Sequence, residues 1–214
     1  MAEPELPLTR HAMVWVEPDA WSAVLDEHGV GDADPLLAEW AVNRWPLVVR
    51  SHACGDPPHL LALGLPLPPS HGKKRFAFRF DAHIVERSER PPLIADAAAI
   101  APAEWRSSLA ALVLLDPYTR CFGSLAWELL TGLPYVTAES DIDLLLCVGS
   151  AGEADHLGRE IARIDIRAPM RLDGEFVTPG GWAVQWREWH SGEEALLVKT
   201  REGPQLLSRD RIFA

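Results

Sequence analysis

The run Asp141-Ile142-Asp143 combines residue types and spacing that can do chemistry. In an extended segment residues i and i+2 project to one face, so the two carboxylates stand together while Ile142 packs the other way. Carboxylates this close repel unless a cation neutralises them. Oxygen-only ligands at that spacing suit Mg2+, which prefers carboxylate, water and phosphate oxygens. Without its neighbours, D-x-D at a strand start is also a common turn feature with one capping aspartate. A third carboxylate would complete a clamp for two Mg2+ ions. Asp165 is the leading choice, because Arg163-Ile164-Asp165-Ile166-Arg167 alternates as a strand does and sets Asp165 and both arginines on one face. A surface edge strand with solvated charges would read the same way. Asp173 and Glu175 are the rivals, again two apart, but they flank Gly174 and look more like a turn.

Gly123-Ser124 is the second feature with chemical content. It follows a strand-like run and opens a helix-like one, so backbone N–H groups and the helix N-terminus can hold a phosphate. Glycine lets phosphate oxygens approach closely, and the serine hydroxyl adds a donor. A lone GS before a helix is usually only a cap. Followed on the next strand by D-x-D, it is much more specific. The basic cluster Lys73-Lys74-Arg75 could bind phosphates or an acidic partner, or it could be a strand edge kept basic against aggregation. Lys199, in a late strand, could reach a phosphate or simply face solvent. His11, His52, His59 and His71 lack metal-ligand spacing and read as structural or loop residues.

These groups must be positioned by an α/β framework. Ala12–Val16 and Pro46–Arg50 read as strands around a helical stretch from Pro35 to Trp45. The run 66–72 is a proline-rich loop, and Lys73–Phe80 alternates as a half-buried strand. Pro91-Pro92 is the best place to divide the chain, into a smaller α+β domain over 1–92 and a second domain over 93–214. After it come a helix over Ala103–Leu115, a strand over Thr119–Phe122, and a helix over Leu125–Thr131 closed by Gly132. Asp143–Val148 is a continuous apolar strand, which implies burial on both faces. A helix over Glu153–Arg163, a strand over Ile164–Ala168, a turn at 178–181 between two strands and a last strand over Ala195–Thr200 complete the reading. The order predicts a mixed sheet with helices on one side.

Bulk properties bound the class. The chain has 214 residues, 48% hydrophobic and 24% charged, an ordinary globular composition. No apolar run approaches the roughly 18 residues a membrane span needs. The acidic start Met1-Ala2-Glu3-Pro4-Glu5 lacks the features of a signal peptide. Three cysteines, Cys54 in a polar loop and Cys121 and Cys147 in apolar runs, suggest neither a disulfide framework nor a zinc site. A soluble, cytoplasmic protein is expected. A net charge of −11 argues against gripping nucleic acid over a wide face, but a metal and a few local cations can still hold a polyphosphate.

A GS turn at a strand–helix junction, D-x-D on the next strand and a single aspartate on a later one resemble the polymerase-β-like nucleotidyltransferase superfamily. More narrowly, the run from Phe122-Gly123-Ser124-Leu125-Ala126-Trp127 to Tyr135, ending in Ser140-Asp141-Ile142-Asp143-Leu144-Leu145, resembles the phosphoribosyl-dephospho-CoA transferase family, the malonate decarboxylase holo-acyl-carrier-protein synthases. The long spacing from Ser124 to Asp141 fits this branch. Arg10-His11-Ala12-Met13-Val14-Trp15, Gly72-Lys73-Lys74-Arg75 and Val184-Gln185-Trp186-Arg187-Glu188 are similar to it as well.

The resemblance implies a nucleotidyltransferase fold over 93–214, preceded by a substrate- or carrier-binding domain. The implied reaction moves 2′-(5″-phosphoribosyl)-3′-dephospho-CoA from its triphosphate donor, 2′-(5″-triphosphoribosyl)-3′-dephospho-CoA, to a serine of an apo acyl-carrier subunit of malonate decarboxylase, releasing pyrophosphate. Asp141 and Asp143 would bridge two Mg2+ ions, Asp165 would ligate one and act as general base, and Gly123 and Ser124 would cradle the outer phosphates. One of Trp127, Trp182, Trp186 and Trp189 could stack on adenine, the others packing the core. Two alternatives remain open: another Mg2+-dependent nucleotidyltransferase that adenylylates a protein or small molecule, or a non-catalytic carrier-protein adaptor.

Overall fold

A computed structural model of the chain describes residues 8–53, 55–200 and 203–213; Met1–Glu5 and Cys54, discussed above, lie outside the described residues. The chain forms two compact units, Met1–Pro91 and Pro92–Ala214. No helix among the described residues is long and apolar enough to cross a membrane.

The first unit is built on a five-stranded antiparallel sheet and carries short helices. Its strands are β1 (Met13–Val16), β2 (Leu47–Val49), β3 (Leu61–Pro66), β4 (Arg75–Phe80) and β5 (Val85–Glu89), in the order β4-β3-β2-β1-β5. Helix α1 (Pro18–Glu27) starts with proline at its first position, where the missing N–H is no loss. Helix α2 spans only Pro35–Glu39, shorter than the Pro35–Trp45 expected, and Trp40 follows it with its indole N–H donating to the Pro46 carbonyl. Trp21 of α1 meets Phe78 of β4 edge to face, 5.1 Å between centroids, and donates to the Leu37 carbonyl. The buried face of the sheet is therefore closed by large aromatic side chains whose polar atoms are satisfied.

Asp34, which is buried, and Asp56, whose side chain is 3% exposed, organise the loops of this unit. Asp34 caps α2 through Leu36 N and also accepts from Lys74 Nζ (3.0 Å) and His71 Nδ1 (2.8 Å). Burial alone would push its carboxyl up, but Lys74, the Leu36 amide and His71 outweigh that and hold it below the ordinary range. Asp56 accepts from Arg50 (2.6 Å), Arg79 (3.1 Å) and Ala53 N (2.8 Å). The Arg50 hydrogen bond foremost, then the Ala53 amide, lowers its carboxyl from 3.8 to about 2. Both folded-state values lie below the unfolded ones, so the stability these groups supply is complete above the unfolded value and is lost as pH falls through the folded one. Resistance to urea unfolding is expected to fall between pH 4 and pH 2, and Asp56→Asn is expected to flatten that fall while lowering the midpoint at pH 7. An unchanged acid slope in the variant would show that Asp56 does not carry it.

The second unit is a six-stranded mixed sheet in the order β11-β10-β9-β8-β7-β6. Its strands are β6 (Arg120–Phe122), β7 (Ile142–Cys147), β8 (Leu172–Val177), β9 (Ala183–Gln185), β10 (Ala195–Thr200) and β11 (Gly203–Ser208). Among the described residues only the β7–β8 pair of this sheet is parallel. A parallel pair needs a crossover, supplied here by the helix α6 (Ala151–Asp165), which Ser150 caps through Glu153 N. Helices α3 (Ile94–Ala97), α4 (Arg106–Leu115), α5 (Gly123–Thr131) and α7 (Trp186–Ser191) complete the unit. The helices α1, α3 and α7 and the strands β3, β5 and β11 form where the sequence reading assigned no element.

One expected element is absent. The segment 164–168 is the last turn of α6 and the turn that follows, not a strand. Ala154, Leu157, Gly158 and Ile161 are buried at helical spacing, and Ile166 is 83% exposed. The core-facing stripe of α6 therefore sets the conformation, and the alternation of 163–167 is incidental to it. Likewise Asp173 and Glu175 do not form a turn: both lie inside β8.

Side-chain alternation gives the sheet two unlike faces. Ile142, Leu144, Leu146, Leu172, Phe176, Val184 and Val198 are buried on one face, where α6 packs Gly158 against Phe176 and His190. The opposite face carries Asp143, Asp173, Glu175, Gln185 and Lys199, as the strand registers require.

Candidate active site

Asp143 sits on β7 with its Cα partnered by Asp173 across the parallel pair and by Phe122 across the antiparallel one. Asp141 immediately precedes β7, and the Ile142 amide beside it is fixed by donation to the Arg171 carbonyl (3.0 Å). Carboxylate oxygens of Asp141, Asp143 and Asp173 all lie within 4.8 Å of one another, each residue half-buried. This donor set is oxygen only, without histidine or cysteine. It suits a hard cation such as Mg2+ rather than Zn2+.

The residue after Phe122 brings the helix start to the same place. Gly123 opens α5 at φ +64°, and a Cβ on it would lie 1.8 Å from Asp143 Oδ2. Glycine is thus needed twice, for the left-handed backbone and for the approach of the carboxylate. The turn and the aspartate pair, 17 positions apart between Ser124 and Asp141, meet at this contact. The intervening loop is held by Glu128 of α5, whose Oε2 accepts from Tyr135 N (2.9 Å) and Val136 N (2.7 Å). Tyr135 also stacks on Trp127. Nothing in the sequence reading singled out Glu128; an acidic residue late in a helix gives no signal that it will tether the chain beyond.

Asp165 is not part of this cluster. At the C-terminal end of α6 its Oδ1 accepts from Leu172 N (3.0 Å) and Arg187 Nη2 (2.8 Å), and it lines a cleft of about 330 Å3 with Ile166, Arg187 and His190. The third carboxylate beside the pair is Asp173, one of the two rivals. The other rival, Glu175, is buried and takes Lys199 Nζ at 2.6 Å. Lys199 is therefore neutralised locally, although it shares the face of the carboxylates. In the first unit Lys74 is engaged by Asp34, while Lys73, at φ +53°, and Arg75 have exposed side chains.

Other groups have plain structural roles. Trp127, Trp186 and Trp189 are buried in the core. Cys121 and Cys147 are free thiols. Burial, with the charge of Asp143 adding to it, pushes the Cys121 thiol up to about 12, which favours its protonated form.

Fold and site together define a two-unit α/β protein whose second sheet gathers three carboxylates against the first residue of a helix. Comparison with known proteins narrows this. The family described as phosphoribosyl-dephospho-CoA transferase MdcG matches in both parts, its N-terminal domain over residues 9–91 and its C-terminal domain over 93–210. A phosphoribosyl-dephospho-CoA transferase of Bradyrhizobium diazoefficiens is 43% identical over 212 residues, covering 97% of this chain and 93% of that protein. One from Xanthomonas campestris pv. campestris is 35% identical over 208 residues, covering 95% and 96%. A third, from Pseudomonas putida, is 32% identical over 186 residues, covering 83% and 85%. No solved structure matches the chain. The chain belongs to the phosphoribosyl-dephospho-CoA transferase family and is a transferase.

Proposed function

We propose that this transferase moves 2′-(5″-phosphoribosyl)-3′-dephospho-CoA from its triphosphate donor onto a serine hydroxyl of the apo acyl-carrier subunit of malonate decarboxylase. The reading rests on the relatives' shared name and on one observation above all: the meeting of Asp141, Asp143 and Asp173 at the start of α5. In the reaction the serine oxygen bonds to the α-phosphorus of the donor, and the bond from that phosphorus to the β-bridging oxygen breaks. The hydroxyl proton leaves to solvent, and pyrophosphate departs with the electron pair.

Asp141, Asp143 and Asp173 are the residues that would hold Mg2+. A bound metal supplies neutralisation of the leaving pyrophosphate and acidification of the attacking hydroxyl. Gly123 and Ser124 present backbone N–H groups and a hydroxyl at the first turn of α5, where an anionic phosphate is favoured by the helix dipole. Asp143, touching Gly123, links the phosphate-holding turn to the carboxylates, so donor and cation would be fixed in one frame. Catalysis in this reading is positioning and charge neutralisation. Lys199, paired with Glu175 on the same face, is a further contact for donor phosphates, and in the first unit the exposed Lys73 and Arg75 offer positive charge to the carrier.

Mass spectrometry of the apo carrier subunit tests the proposal. Incubation with this protein, Mg2+ and the triphosphoribosyl donor is expected to add one phosphoribosyl-dephospho-CoA group to one serine, with one pyrophosphate released per group. Labelling of the carrier from ATP alone would replace the donor assignment with adenylyl transfer. Carrier binding with no Mg2+-dependent modification would leave an adaptor.

A further inference from the structure

We infer that Gln185 is a positioning residue, holding Asp173 where it can share a cation with Asp141 and Asp143. The inference rests on the reading of those three carboxylates as the metal-holding set.

Gln185 has both ends of its amide committed. Its Oε1 accepts from Arg187 N (2.6 Å) and Glu188 N (3.1 Å), capping α7. With the oxygen taken by two N–H donors, the nitrogen must point the other way, and Nε2 donates to Asp173 Oδ1 at 2.6 Å. Gly174 N also donates to that oxygen (3.1 Å), so its acceptor sites are filled and Oδ2 keeps the remaining capacity. Arg171 donates to Oδ2 (2.9 Å), but its side chain is 60% exposed and its hold on the carboxylate is screened by solvent.

The residues that follow Gln185 fasten the backbone beside Asp173. Trp186 Nε1 donates to the Leu172 carbonyl (3.0 Å), and Arg187 Nη2 donates to the same oxygen (3.0 Å) and to Asp165 (2.8 Å). Asp165 in turn accepts from Leu172 N (3.0 Å). Both polar backbone groups of Leu172 are therefore bound by side chains, and the next residue's carboxylate is turned by Gln185. The run Gln185-Trp186-Arg187 thus grips the start of β8. It fixes the backbone through two side chains and the ligand oxygen through the third. Metal ligands are commonly oriented by such partners, whose loss costs roughly 10- to 100-fold in metal affinity.

Gln185→Asn separates the two duties of the side chain. Asparagine is a good N-cap, so α7 keeps its cap, yet it is one methylene too short to reach Asp173 and changes no charge. Binding of Mn2+ to the full chain, read by electron paramagnetic resonance without donor or carrier, is the measurement. Gln185→Asn is expected to raise the Mn2+ dissociation constant about 10- to 100-fold with little change in thermal midpoint. Gln185→Met, which removes donor and cap together, is expected to weaken binding and lower the midpoint. A Gln185→Asn protein that binds Mn2+ like the parent overturns the inference. Parent and Asp143→Asn proteins are measured beside it: if the parent binds no Mn2+, or Asp143→Asn binds it equally well, the metal-site reading fails first and the Gln185 inference falls with it.

Discussion

Asp143→Asn is expected to lower carrier modification by about 10^3-fold or more while the protein keeps its fold. The substitution is isosteric, and it removes a charge from a site where three carboxylates lie within 4.8 Å. Removing a like charge relieves repulsion in the metal-free protein, so thermal stability is expected to hold or rise slightly. The loss falls instead on the transition state, because charge neutralisation by a cation is worth several kcal/mol there, and each ~1.4 kcal/mol is a factor of ten. Asp141→Asn is expected to behave similarly. Initial rates of pyrophosphate release at saturating Mg2+, with circular dichroism as the check on folding, make the measurement. Near-parental rates in either variant would remove the pair from the chemistry.

Gly123→Ala is the second large effect, and its cause is steric rather than electrostatic. The new methyl would lie 1.8 Å from Asp143 Oδ2, closer than any real contact, so the carboxylate must swing away. The residue's φ of +64° adds a cost of roughly 1–2 kcal/mol for any side chain. Displacing a reacting-site group by about 1 Å can cost on the order of 10^2-fold in rate, and that loss is expected here. In a chain of this size the backbone cost lowers the thermal midpoint by only about 2–8 °C. The variant should therefore be folded at 25 °C and poorly active. A rate within twofold of the parent would mean that Asp143 need not stay where Gly123 lets it lie.

Asp56 and Asp143 stand in unlike surroundings. In the first unit Asp56 is saturated by Arg50, Arg79 and a backbone amide, which serves stability and holds its proton affinity low. In the second unit Asp141, Asp143 and Asp173 lie with oxygens within 4.8 Å of one another, an arrangement whose mutual repulsion a bound cation would relieve.

Much of the site was legible in the chain itself because it is local. Asp141 and Asp143 share a face through i, i+2 geometry alone. Gly123-Ser124 reads as a helix-opening turn from its own neighbours, and Gly132, at φ +70°, closes α5 as a glycine there must. The strands around residues 13–16, 75–80, 142–147 and 195–200 announce themselves by apolar patterning. The sequence alone also pointed to a transferase family through the run from Phe122 to Leu145.

The third carboxylate was a different kind of question. Whether Asp165 or Asp173 stands beside Asp143 depends on which strand lies next to β7 and in which register, a property of hydrogen bonds between segments some thirty residues apart. The alternation of 163–167 suits a strand in isolation, but burying Ala154, Leu157 and Ile161 against the sheet keeps the chain helical through Asp165. That places Asp165 under Arg187 and leaves Asp173, at the register position opposite Asp143, to complete the cluster. The same holds for Gln185 and Glu128, whose amide and carboxylate find partners only after folding. Residue chemistry and short-range periodicity are written in the chain; the meeting of distant groups is decided by the packing of apolar faces, and only the folded sheet reveals it.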